Sequence, residues 1–195
     1  MLANTQQTPE LPLSKRLKAG SARDHDSVDT LVMQSRPFED NQRYGCFLRV
    51  QHRFHGAIHE LYNDADLNQL LPGLRELPRF DAVCADMKDL GLSVPAAPTT
   101  VKPHSIHDAI GWLYCAEGSN LGAAFLFKET QQMGFHAKHG ARHLAAHPDG
   151  RALHWRQFVT LLDGLNLDEA QKAEAIQGAI DAFDFYRSAL RECFH

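Results

Sequence analysis

With 195 residues, 44% apolar and 23% charged, the chain has the composition of one soluble globular domain with a full core. A net charge of −4 with no dense basic run argues against nucleic acid as a partner. No 18 apolar residues follow one another and the N-terminus lacks an apolar signal core, so neither a membrane span nor export is expected, and the chain should stay in the cytoplasm.

In chain order, residues 1–9 are polar and are expected to be disordered, ahead of a single domain over 10–195. Leu11 to Lys18 predicts a first helix ended by Gly20. Ser21 then offers an N-cap, with Asp24 closing a capping box. The helix that follows carries His25, Val28, Leu31 and Val32 on one stripe and stops before Pro37. Asn41 to Tyr62 predicts a long helix with Phe47, Leu48, Val50, Phe54, Ile58 and Leu61 inward. Asp64 to Leu71 makes a shorter one closed by Pro72-Gly73, and Arg79 to Leu90 another that ends at Gly91. Three prolines mark Ser93 to Pro103 as a loop, after which His104 opens a helix running towards Gly134. A His-rich connection reaches Gly150, and Arg151 to Leu162 and Asp168 to Phe194 supply two more helices, the last with an Asp cap. Nothing alternates with period two over any length, so the fold class is all-α.

Within the central helix, Gly111 to Lys128 stands out. Its flanks are apolar, yet Gly118 and Gly122 lie four apart and share one face. Each costs about 1 kcal/mol relative to Ala in a helix interior. Two readings recover that cost: another helix packs on this face, or a planar cofactor lies across bare backbone.

No G-x-G-x-x-G, Walker A loop, H-E-x-x-H or nucleophile elbow is present. The four cysteines (Cys46, Cys84, Cys115 and Cys193) have no C-x-x-C spacing and are expected as free thiols, and Cys115 lies in too apolar a run for a nucleophile. Among the twelve histidines, His52, His55 and His59 share a helix face and His136, His139 and His143 form a second group. Either could hold a metal ion, but solvated surface histidines are the expectation. His25 differs, because it sits alone on an apolar stripe with Asp29 one turn later. A carboxylate at i+4 can take the ring N–H and fix the tautomer, which suits a metal-bound imidazole, although a satisfied helix-surface His has the same pattern. A helix with a possible axial His and a helix with a bare glycine face are the two walls a haem sandwich requires.

The residues His25 with Asp29, Leu70-Leu71-Pro72-Gly73-Leu74, Arg79, Gly111-Trp112-Leu113 and Glu117-Gly118-Ser119-Asn120-Leu121-Gly122-Ala123-Ala124-Phe125 carry a resemblance that spans the chain from about Leu17 to Phe194. On these the chain resembles the bacterial haem (heme) oxygenase family, and most of all its pseudomonad type, which includes enzymes that supply biliverdin to bacteriophytochromes. The resemblance implies haem held between a proximal and a distal helix and cleaved, with O2 and electrons from an external donor (a ferredoxin or reductase), to biliverdin, CO and Fe2+. It implies His25 as the iron ligand, Asp29 as the partner of that imidazole, and Gly118 and Gly122 on the distal face. Ser119 stands where mammalian-type members carry an Asp, so the proton relay must differ, and Arg79 is the candidate for ordering its waters. Lys18 matches a propionate-contacting lysine, and Tyr186 is expected either at the haem edge or in the core. Some pseudomonad relatives seat the haem rotated in its plane with lysines that are absent here, where Met33 and Glu129 stand. The unrotated seating, and biliverdin IXα, is therefore expected. A haem carrier or sensor without degradation, and a helical enzyme of similar topology that ignores haem, are the rival classes.

Overall fold

The computed structural model describes residues 11–194, and among them no β-strand forms. Residues 1–9 and their expected disorder lie outside the described residues. Eight α-helices follow one another: α1 Leu13–Gly20, α2 Ala22–Gln34, α3 Asn41–Ala57, α4 Ala65–Leu70, α5 Phe80–Asp89, α6 Ile106–Gln132, α7 Arg151–Asp163 and α8 Glu169–Phe194. Three short 3-10 turns, His59–Asn63, Leu74–Glu76 and Arg142–Leu144, join them.

Most boundaries have the local chemistry expected of them. The side chains of Asp40, Asp64 and Ser105 accept from Arg43 N, Leu67 N and Asp108 N at the starts of α3, α4 and α6. Asp168 and Gln171 cap α8 reciprocally, each side chain taking the other's backbone N–H at 2.9 Å. Gly73 and Gly134, with φ of 88° and 86°, supply the left-handed turns after α4 and α6.

Two boundaries differ. Ser21 does not cap α2: its hydroxyl donates back to Leu17 O, because α1 and α2 are almost continuous and no free N-terminus is left to cap. Asp24 is used instead in an ion pair with Arg187 on α8, at 2.9 Å. Gly20 is the last residue of α1, as expected, and a Cβ there would meet Ile176 of α8 at 2.5 Å. The helix predicted to Tyr62 ends at Ala57 and tightens into 3-10 turns, with Ile58 and Tyr62 still fully buried.

Helices α6 and α8 form the spine. At Gly111 a Cβ would sit 2.0 Å from Ala175 O, and at Gly178 it would sit 2.0 Å from Asp108 O. The two backbones are in contact where these glycines cross, and α8 lines the crossing with the buried alanines Ala175, Ala179 and Ala182. Close helix packing is therefore the role of Gly111, eleven residues from the second glycine of the Gly118/Gly122 pair. Helices α2, α3 and α6 pack on the C-terminal half of α8 through Val28, Val32, Phe47, Leu48, Ala123, Ala189 and Leu190.

Gly111→Ala should lose about 3 kcal/mol of unfolding free energy or more, since a methyl group there displaces backbone rather than a side chain. Gly122→Ala, with nothing within 4 Å of its Cβ position, should instead gain up to about 1 kcal/mol from helix propensity. Urea unfolding of the two haem-free variants checks both signs.

Candidate active site

The site lies where α2 and α6 flank α8. On α2, Val28 and Val32 face the core while the His25 side chain is 57% exposed. The ring is held against the edge of Phe183 on α8 (centroids 5.7 Å apart, planes at 81°). Its Nδ1 is 3.4 Å from Asp29 Oδ2 and 3.7 Å from Asp26 Oδ1. Both carboxylates are on the Nδ1 side, which leaves Nε2 for a ligand. An imidazole so exposed on an otherwise apolar stripe has no packing reason to be there.

On α6, Gly122 has open space where a Cβ would be. Leu121 and Phe125 beside it, and Met33 at the end of α2, are among the few large apolar side chains left exposed. Bare backbone and exposed apolar side chains on α6, and an exposed imidazole on α2, are the chemistry that suits a flat, largely apolar, metal-bearing group. Gly118 differs from Gly122, because its missing Cβ faces the Trp155 ring of α7 at 3.4 Å. The Ser119 hydroxyl is spent on Ala116 O at 2.7 Å. Lys18 is exposed on the last turn of α1.

Behind α6 is a buried polar system that pattern reading does not reveal. Glu117 accepts from the Tyr62 hydroxyl on Oε1 (2.7 Å) and from Asn120 Nδ2 on Oε2 (3.1 Å), and His154 Nε2 lies 2.9 Å from Oε2. Burial, with Glu117 beside it, pushes the Tyr62 hydroxyl well above its ordinary pKa, so it stays a donor. Arg79 is not in a surface ion pair. Its Nη1 donates to His143 O at 2.5 Å, and burial lowers its pKa. The backbone it grips is fixed by Asp86, fully buried on α5, which accepts from Arg142 N, His143 N and Arg142 Nη1 and meets His143 Nδ1 at 2.8 Å. Burial alone would raise the Asp86 pKa, but these donors hold it below the usual carboxylate range.

The expectation of solvated histidine clusters fails for His52, His55 and His143, all of which are buried. His52 and His59 border the Phe80 ring, and Gly56 between them lets Phe80 and Pro98 close over α3. Only His136 and His139 of the second group are exposed. Among the described residues no group of three or more His, Cys, Asp or Glu could hold a metal ion. Tyr186, expected at the haem edge or in the core, packs edge-on to Phe54 and accepts Gln51 Nε2 on its hydroxyl at 2.7 Å. The four cysteines are free, and burial raises the Cys115 thiol pKa far above neutrality.

A sequence model of the family described as Heme oxygenase matches residues 11–192. Heme oxygenase PigA of Pseudomonas aeruginosa is 38% identical over 183 residues, 93% of this chain and 92% of that one. A heme oxygenase of Xanthomonas campestris pv. campestris is 30% identical over 156 residues, 77% of this chain and 90% of that one. Among solved structures, the NO- and CO-bound heme oxygenase of Neisseria meningitidis superposes with a TM-score of 0.90 at 52% identity, covering 95% of this chain and 93% of that one. The heme oxygenase-1 of Synechocystis in complex with heme superposes at 0.75 with 16% identity, covering 93% and 92%, which speaks for the fold. Among the described residues no helix is long and apolar enough to cross a membrane. The chain belongs to the haem oxygenase family, enzymes that bind haem and degrade it to biliverdin.

Proposed function

We propose that this haem oxygenase holds its substrate between α2 and α6 with His25 Nε2 as the iron ligand and Gly122 beneath the distal side, using O2 and an external ferredoxin or reductase. The observation that carries the reading is the exposed His25 ring, packed on Phe183 with two carboxylates near Nδ1, together with the unfilled face of Gly122 on α6. When bound, haem supplies the iron at which O2 is reduced, and its own ring is what is opened. The protein's part is geometry and proton supply. Asp29 and Asp26 keep the Nδ1 proton in place, so a neutral imidazole faces the iron and gives less electron push than a thiolate. Gly122 leaves clearance that any side chain would remove. Ser119, with its hydroxyl turned into the helix, is a small spacer and not a proton donor. Arg79, gripped by carbonyls behind Glu117, orders water from the interior side. Tyr186 has its role in the core beneath the site, through Gln51. We assign the enzyme to the cytoplasm, with a bacteriophytochrome as the acceptor of its biliverdin.

His25→Ala tests the reading. Turnover should be abolished and the ferric spectrum should change to a weakly ligated form, with added imidazole restoring coordination. An unaltered spectrum with full turnover would place the ligand elsewhere.

Gly122→Leu should keep the helical fold and still take up haem, with biliverdin yield falling at least about tenfold as the clearance goes. Gly118→Leu must also push Trp155 aside, so its loss should come with lower stability. Wild-type turnover by Gly122→Leu would remove this face from the site.

The product should be biliverdin IXα. Lys18 is exposed on the α1 side of His25, while Met33 cannot bind a carboxylate and Glu129 repels one. A charge-assisted hydrogen bond to a propionate contributes roughly 1.5–3 kcal/mol, and about 1.4 kcal/mol is tenfold in population. Chromatography of the extracted pigment checks this, and a predominance of β or δ isomer would refute it. Met33→Lys with Glu129→Lys should move part of the product to δ.

A further inference from the structure

Beside Glu117 lies a cavity of about 160 Å³ whose polar lining is Glu76, Arg79, Glu117, Arg142, His147 and His154. At about 30 Å³ per molecule it has room for several waters, and its walls offer the two to four polar partners each of them needs. Exposed Glu76 and half-buried His147 make the outer rim, and Glu117, 1% exposed, is at the inner end. Two stacked imidazoles span the same distance. His147 lies over His154 with ring centroids 4.6 Å apart and planes within 15°, and His154 Nε2 meets Glu117 Oε2. Outermost, the Asp149 backbone N–H donates to His147 Nδ1. Gly118 follows Glu117 in the chain.

Tying α7 to α6 would not need a titratable ring, because any donor could hold Glu117. An imidazole can accept a proton at one nitrogen while releasing one from the other. His154 is placed for it: Nε2 is on Glu117, and the ring borders the cavity.

We propose that the water cavity, His147, His154 and Glu117 form the intake route for the protons consumed when haem is cleaved, with His154 and Glu117 as positioning residues behind the distal helix. The proposal rests on the haem oxygenase activity of the family. In the transfer, an excess proton carried by the cavity water adds to His154 Nδ1, the Nε2 proton passes to Glu117 Oε2, and Glu117 releases it to water beside Gly118. A half-turn of the ring then brings the protonated nitrogen back to Glu117 and the bare one to the cavity water. Only N–H and O–H bonds are made and broken, and no electron moves. The charged groups around His154 are Glu117 on α6, Arg79 ahead of α5, Arg142, His147 and Asp149 in the connection, and Arg151 on its own helix; Glu76 is at the rim.

His154→Gln keeps a donor for Glu117 but cannot relay. Its biliverdin rate should fall at least tenfold with a larger solvent deuterium isotope effect and a displaced pH profile, while haem affinity stays at the wild-type value. His147→Gln, at the surface and safe for folding, should show a smaller loss of the same kind. In the haem-free wild type, nitrogen NMR of labelled histidines should show the His154 ring N–H exchanging with solvent water through the cavity. A ring N–H closed to exchange with solvent, or wild-type rate and pH profile in both variants, overturns the proposal. So does a rate loss that merely follows lost haem affinity. A wild-type protein that binds haem without degrading it would refute the activity itself, and the NMR exchange measurement would still report on the route.

Discussion

The contact of bare backbone between α6 and α8 at Gly111 and Gly178 is the constraint on which the rest depends. A methyl group at either point would fall about 2 Å from a carbonyl oxygen of the other helix, so the crossing exists only with glycine there. It lets the two longest helices share an axis of contact through Ala175, Ala179 and Ala182 without large side chains between them. The proposed site is then placed by what rests on this pair: α2 on the far half of α8, with His25 against Phe183 and Asp24 paired with Arg187.

A second, polar constraint holds the other side. Asp86 alone gathers four donors from residues 142 and 143, and Asp89 takes Gly140 N at 2.7 Å and pairs with Arg142. The Tyr44 hydroxyl bonds Gly140 O at 2.6 Å. These bonds turn an irregular connection into a fixed wall whose carbonyls clasp Arg79, and Arg151 adds a bond from the start of α7 to Asn120 O. Charges buried this way are expensive unless every partner is present, so the wall holds as a whole or not at all.

Much of this was legible in the sequence, and the rest failed for definite reasons. The helices and most of their ends follow from period 3.6, prolines and acidic caps, all of which are local signals. The Gly118/Gly122 pair and His25 with Asp29 are also local, one or two turns in length, and the structure leaves Gly122 open and His25 exposed with its Nδ1 beside Asp29. Gly111 had the same one-letter signal and went unread, because its partner Gly178 is 67 positions away. Glu117 stood inside the recognised motif but its meaning lies in Tyr62 and His154, which only folding brings near. The buried histidines were misjudged for the same reason. On α3 they sit on a face that a distant loop and Phe80 cover, and no helical period can announce a loop.

Since α2 and α6, the proposed proximal and distal walls, both lean on α8, the gap between them is set by a helix. It is gauged by the girth of α8, whose inward residues are glycine and alanine along several turns: Ala175, Gly178, Ala179, Ala182 and Ala189. A helix with that surface acts as a feeler gauge, and a single added carbon on it would reset the aperture along the whole cleft. A change of substrate thickness or tilt could thus arise from an alanine that never touches the substrate.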